Sequence, residues 1–278
     1  MFFSEQIIFM YAIIVSKLDP AGMLISELLI EGGFEKTNER FDGNAVYFLK
    51  EREMKLYFIN EDQVYADYVG KVPCDYVIFA SKHASVSKRP TLTVHPIGNW
   101  GKAELGGKDF ELVKTSAAIM KSYLVELQRQ KDEKKLSYEV SYEATHHGPY
   151  LEKPTIYIEL GSSIEQWKDK KAAEAIAETI LEATKAMKCK AAIGFGGMHY
   201  NPHFTRIALQ TEYAFSHMCA KYALQFLNEE MVEKAIANTV EEVEAFIIEK
   251  KGLAGKRKEI LEILANFNIP ILRTNELK

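Results

Sequence analysis

Four short stretches of this sequence set imidazoles beside small polar residues and glycines: "SKHAS" (81–85), "VHPIGNWG" (94–101), "SYEATHHGPY" (141–150) and "GFGGMHYNPHF" (194–204). Histidine titrates near neutrality, binds metals and moves protons, so its clustering points to hydrolytic or metal chemistry. In "SYEATHHGPY" the Gly-Pro pair stops a strand. Thr145, His146 and His147 then stand at its C-terminal end, where open α/β sheets collect ligands. On an extended strand Glu143, Thr145 and His147 point one way while Tyr142 and His146 point the other. Both histidines enter one site only if the backbone bends. A carboxylate beside an imidazole orients it, raises its basicity or joins it on a metal, so Glu143 with His147 is the candidate catalytic pair.

In "GFGGMHYNPHF", Asn201 is a good N-cap and Pro202 a good first-turn residue, and Phe204, Ile207, Ala208 and Thr211 follow at helical spacing. A helix is therefore predicted to start near 202, after a strand and a glycine-rich loop. Such a loop offers the backbone N–H groups of Gly196 and Gly197, and the positive end of a helix dipole, to a phosphate, a carboxylate or an oxyanion. Neither GK[ST] nor GxGxxG is present, so it is no P-loop or dinucleotide fingerprint. His199 and His203 are four apart, as in zinc-binding helices, but Pro202 places His199 in the loop, and they share a metal only if the turn brings them together. Ser81, Lys82 and His83 end another strand. His95 and Asn99 lie near Trp100, whose ring can stack on a base or ribose.

These residues need a scaffold. "IIFMYAIIV" (7–15) reads as a buried strand, too short to span a bilayer and lacking the basic region of a signal peptide. Met10 is an alternative start, which makes residues 1–9 an extension without a core role. "DPAGMLISELLIEGG" follows as a capped helix. Short β-rich runs fill 45–80, "TLTVHP" is a strand at 91–96, and helical periodicity covers about 109–130. Strands at 136–144 and 155–160 precede a helix from Ser163 to Lys188 and the strand "KAAIGF". A charged helical segment (228–266) leads to a last strand, "IPILRT". This alternation predicts an α/β fold with a mixed, mostly parallel sheet sandwiched by helices. Residues 1–130 and 131–278 divide into two α/β subdomains, or one compact unit, with most of the histidines in the second.

The chain has 278 residues, 47% hydrophobic and 27% charged, enough for a substantial core. Its net charge of −4 argues against a protein that coats nucleic acid non-specifically. Cys74, Cys189 and Cys219 show no CxxC spacing. They indicate neither a disulfide framework nor a cysteine zinc site, but reduced thiols of a cytoplasmic protein.

In their order and spacing, "SKHAS", "HPIGNWG", "YEATHHGP" and "GFGGMHYNPHFT" resemble the archaeal and plant type of D-aminoacyl-tRNA deacylase, and "AFSHMCAKYAL" (214–224) resembles the segment that follows. The similarity runs from about 11 to 272. It implies hydrolysis of the ester between a D-amino acid and the 3′-terminal ribose of tRNA, with zinc as cofactor and a phosphorylase/peptidyl-tRNA hydrolase-like fold. The expected partner is D-aminoacyl-tRNA, with neither DNA nor membrane, for a monomeric cytoplasmic enzyme of translation quality control.

On this reading Glu143, Thr145, His147 and His199 are catalytic. Ser81, Lys82, His83, His95, Asn99, Trp100, Gly196 and Gly197 hold substrate, and zinc draws on His146, His147, His199 and His203. His147 or the zinc activates water, Glu143 orients or accepts the proton, and Gly196, Gly197 and the helix start receive the oxyanion. Holding tRNA needs local positive charge, for which Lys82, Lys88, Arg89, Lys256, Arg257 and Lys258 are candidates. Two other classes stay open. A zinc-dependent amidohydrolase or peptidase on a small substrate explains the histidines, whereas a non-catalytic RNA-binding protein leaves the His and Glu cluster idle.

Overall fold

Uninterrupted apolar runs form the centre of the larger of two sheets. We describe a computed structural model over residues 9–183, 185–253 and 255–277. Residues 7 and 8 of the expected first strand, and nearly all of the expected 1–9 extension, lie outside these. Among the described residues the strands are β1 (Tyr11–Ser16), β2 (Glu35–Phe41), β3 (Asn44–Leu49), β4 (Met54–Ile59), β5 (Tyr76–Ala84), β6 (Thr91–His95), β7 (Glu139–Tyr142), β8 (Thr155–Ser162), β9 (Lys190–Gly197), β10 (Tyr213–Ala220), β11 (Val243–Ile248) and β12 (Ile271–Arg273). The helices are α1 (Pro20–Glu31), α2 (Ala117–Glu133), α3 (Lys170–Glu182), α4 (Pro202–Gln210), α5 (Glu229–Ala237) and α6 (Arg257–Ala265).

The described residues form an eight-stranded sheet in the order β2-β3-β4-β1-β5-β8-β6-β7 and a four-stranded sheet in the order β10-β9-β11-β12. Strands β4, β1, β5 and β8 run parallel, β6 is antiparallel to β8, and β7 is parallel to β6. The smaller sheet is parallel throughout. Every residue of β1 and of β8 is buried, as expected of strands covered on both faces. On one face Ile13, Val15, Ile78 and Ile158 pack with Ile25 of α1, Leu124 of α2 and Ile176 of α3. On the other, Ile14, Phe79 and Tyr157 pack with Ile97, Val113 and Leu151 of the long loops. Phe195 and Phe246 centre the smaller sheet's core with Val232 and Leu264. The expected mixed, mostly parallel α/β architecture is the one observed. No helix among the described residues is long and apolar enough to cross a membrane.

Several elements differ from the sequence expectation, for local reasons. Helix α2 starts at Ala117, not near 109, because Ser116 caps it by accepting from Ile119 N, while the Glu241 carboxylate accepts from the N–H groups of Ala117 and Ala118. Helix α3 is shorter than 163–188 because Asp169 caps it, accepting from Lys171 N and Ala172 N. The segment 228–266 is not one helical stretch: "VEAFII" inside it is β11, paired with β9 and β12. Strand β2 is polar and largely exposed at the sheet edge, which removed the apolar signal. Strands β7 and β8, beyond the expected 130/131 division, belong to the first sheet.

The residues after β7 stitch the two sheets together. Glu143 bridges antiparallel to Tyr200, Ala144 N donates to His199 O at 2.8 Å, and Thr145 N donates to Met218 O at 3.0 Å. Loops of both sheets thereby meet at one point.

Candidate functional site

Strand register places the polar cluster. Glu159 of β8 lies opposite Ser81 of β5 and Thr93 of β6, while His83 lies opposite Gly161 and His95 opposite Tyr157. Alternation then puts His83, His95 and Glu159 on one face. Gly161 is required there, since a Cβ on it would lie 2.7 Å from His83 Cβ and 2.9 Å from its Cδ2.

The seam brings the remaining members. His83 Nδ1 lies 3.2 Å from Glu159 Oε2, in hydrogen-bond geometry, and 3.2 Å from Glu143 Oε1. Glu143 Oε2 is 3.1 Å from His199 Nε2 and 3.7 Å from His146 Nε2. His95 Nε2 is 3.5 Å from Glu159 Oε2, and the Tyr200 hydroxyl is 2.7 Å from His83 Nε2. His146 and His147 both join this cluster because β7 ends at Tyr142 and His147 takes φ 45°, a left-handed bend that undoes strand alternation. Their ring centroids are 4.3 Å apart, and 4.4 and 5.0 Å from that of His95. Thr145 turns away: its Oγ1 accepts from Met218 N and is 3.4 Å from His217 Nδ1.

Two carboxylates and a ring of imidazoles out of water cannot all carry charge independently. Burial disfavours the charged forms of Glu143 and Glu159, but the histidines beside them prevail and hold both below the usual carboxylate range. Burial works against His83 as well, yet its bond to Glu159 and its closeness to Glu143 raise it to about 9. His95 is raised by the same balance. The two anions thus face a cationic His83 and a His95 whose hold on a proton is raised. Burial and neighbouring cationic histidines hold His146 well below its ordinary value, and burial with His95 lowers His147 to about 4. Both are neutral imidazoles at neutral pH.

A cation fits this donor set. One ring nitrogen from each of His95, His146 and His147 falls within 4.8 Å of the others, as do donor atoms of His83, Glu143 and His199, and of His95, Glu143 and Glu159. The Nδ1 atoms of His95, His146 and His147 lie 3.0, 2.7 and 2.6 Å from the carbonyl oxygens of Pro96, Ala144 and Gly148. Such contacts fix the tautomer that offers Nε2, as outer partners of metal-bound histidine do. His95 Nε2 and both Glu143 oxygens are buried without a hydrogen-bond partner, a costly state that a cation relieves.

The expected ligand set therefore changes. His203, half exposed on α4, pairs with Glu249 at 3.6 Å and belongs to none of these groups, because Pro202 carries it into the helix. Gly196 and Gly197 line neither cleft described below. Gly196, at φ 91°, packs against Gly252, where a Cβ would meet Gly196 O at 1.4 Å, and Gly197 packs against Asn201. Ser81 Oγ and Lys82 N donate to Asp19, which caps α1. Asn99 Nδ2 donates to Gly106 O and Lys108 O, and Trp100 is buried in the second core rather than free to stack. Lys88 and Arg89 are exposed beside the site, Arg89 bonded to Glu139. Lys256 and Lys258 pair on α6 with Glu259 and Glu262.

Glu159 and Tyr200 are the residues sequence reasoning missed. A single carboxylate inside "TIYIELGS", otherwise a buried strand, was the available signal, since such a group persists only when paired.

Two clefts open on the cluster. One, about 290 Å3, is lined by Asp19, Asp62, Gln63, Lys82, Glu159 and His199 among others. The second, about 480 Å3, is lined by Asn99, Trp100, Lys102, Phe110, Tyr222 and Phe226 among others. Leu105, His146 and His147 line both.

Comparison with known proteins supplies a family. Residues 71–272 match the family model described as D-aminoacyl-tRNA deacylase. The D-aminoacyl-tRNA deacylase of Pyrococcus furiosus is 42% identical over 267 residues, covering 92% of this chain and 97% of that one. That of Archaeoglobus fulgidus is 35% identical, covering 97% and 98%. The crystal structure of a conserved protein of unknown function superposes with a TM-score of 0.87 at 34% identity, covering 97% of this chain and 96% of the other.

Proposed function

Because this chain belongs to the D-aminoacyl-tRNA deacylase family, we propose that it hydrolyses the ester joining a D-amino acid to the 3′-terminal ribose of tRNA. The observation that carries the mechanism is the contact of the fully buried Glu143 carboxylate with His199 Nε2 at 3.1 Å. The charge of that carboxylate favours the tautomer with the ring proton on Nε2 and leaves the Nδ1 lone pair, 3.5 Å from the Tyr222 hydroxyl, to act as base. His199 Nδ1 takes a proton from water as the water oxygen bonds to the ester carbonyl carbon. The same proton then passes to the departing ribose oxygen as the acyl–oxygen bond breaks. Glu143 keeps the imidazole oriented and balances its charge between the two transfers.

His95, His146 and His147 would hold a zinc ion, as three-histidine catalytic sites do. Bound there, zinc would make a water acidic enough to lose its proton near neutral pH. His83 is held by Glu159 and Tyr200 and presents a positive charge to the developing oxyanion. The enzyme acts on this reading as a monomer in the cytoplasm, where aminoacylated tRNA is used.

The test is hydrolysis of matched D- and L-tyrosyl-tRNA by the wild type and by His199→Ala, with folding checked by circular dichroism. We expect release of D-tyrosine only, and a loss of about 10²- to 10⁴-fold in the variant. Equal hydrolysis of both isomers, an unchanged rate in the variant, or turnover of small amides indifferent to tRNA overturns the reading.

A further inference from the structure

The two clefts differ in chemistry and meet at the same pair of histidines. We propose that they divide the substrate: the 3′-terminal adenosine occupies the larger cleft beside Tyr222 and Phe226, the D-aminoacyl group occupies the smaller one, and the scissile ester crosses between them over His146 and His147. This rests on the deacylase reading and names the subsites that reading needs.

The larger cleft is built for a flat, uncharged ring with a nearby phosphate. Tyr222 is 54% and Phe226 38% exposed, and both line this cleft. Exposed aromatic rings in a groove are platforms for bases, whose stacking contributes about 1–3 kcal/mol each. Phe226 is fixed by Gly101, where any Cβ would come within 2.5 Å of the ring. Exposed Lys102 adds a cation at the same cleft, beside the carboxylate of Glu104. In the smaller cleft Asp19 caps α1 and Glu159 pairs with His83 and His95, which leaves the Asp62 carboxylate to meet a ligand cation, with Lys82 and His83 as the cations there. An α-ammonium group matches it and a nucleotide phosphate does not. The volumes agree, about 480 Å3 for the adenosine side and 290 Å3 for the smaller aminoacyl side.

The experiment pairs adenosine 5′-monophosphate, which mimics the terminal nucleotide, with D-tyrosyl-tRNA and its N-acetylated form, which lacks the ammonium charge. Calorimetry of the full chain should show that Phe226→Ala weakens adenosine monophosphate binding about tenfold or more, while Asp62→Asn leaves it unchanged. In turnover, the wild type should prefer the free ammonium to the N-acetyl substrate by tenfold or more, and Asp62→Asn should narrow that preference where Phe226→Ala does not. Nucleotide binding lost in Asp62→Asn but kept in Phe226→Ala overturns the assignment, as does equal use of the two substrates by the wild type. Nucleotide binding as expected with no release of D-tyrosine from tRNA would break the deacylase reading and leave the nucleotide subsite standing.

Discussion

His199 and Glu143 stand 3.1 Å apart although one follows a strand of the small sheet and the other a strand of the large sheet. The backbone bridge between Glu143 and Tyr200 fixes that distance. Glu143→Gln keeps the shape and removes the charge that holds the imidazole. The rate on D-tyrosyl-tRNA should fall by about 10²- to 10⁴-fold with little change in KM. A KM effect alone would show that Glu143 binds substrate instead.

Gly161 makes room for His83, so a methyl group there must push the imidazole aside. Gly161→Ala is expected to cost about 1–3 kcal/mol of stability and at least tenfold in rate. Urea unfolding and initial rates measure the two separately. A variant with normal activity shows that the His83 position is not needed.

The metal prediction separates the histidines that sequence spacing groups together. Protein purified without added zinc should contain it, and a chelator should abolish activity. His95→Ala and His147→Ala should lose the metal, whereas His203→Ala should retain it, because His203 faces Glu249 on the surface. Elemental analysis of the three variants decides, and metal loss in His203→Ala would restore the ligand set expected from spacing.

His217 gives a pH dependence away from the cluster. Burial lowers it from 6.5 to about 4, against the bond to Asn238 O that favours its charged form. The unfolded chain therefore binds this proton first as pH falls, so the stability that neutral His217 contributes is present above pH 6.5 and is lost toward pH 4. The loss is on the order of 3 kcal/mol. His217→Gln should be less stable than the wild type at pH 7.5 and should show a flatter decline to pH 5 in urea titrations. Parallel declines would remove His217 as the cause.

How far the sequence could be read depends on the range of the interaction. Helix α4 begins where Asn201 and Pro202 predict, with Pro202 in its first turn, although the Asn201 side chain makes no capping bond. Helix α2 has a local cap in Ser116 but also depends on Glu241, more than a hundred residues away, which no local pattern announces. The same holds in the site. Placement at predicted strand ends identified His83, His95, His146, His147 and His199, all of which meet in the cluster. The lone carboxylate in a buried strand marks Glu159, but only strand register shows that His83 is its partner. Alternation alone separates His146 from His147, and the bend that the sequence named as the condition for their meeting is the left-handed residue at His147.

The stitch after β7 makes chemical competence a report on assembly. Base and orienting carboxylate exist as a pair only while the small sheet is seated on the large one, through contacts such as Thr145 N to Met218 O at 3.0 Å. A nascent or partly unlatched chain has the residues but no working base, so it stays inert toward the esters around it until the last sheet has closed.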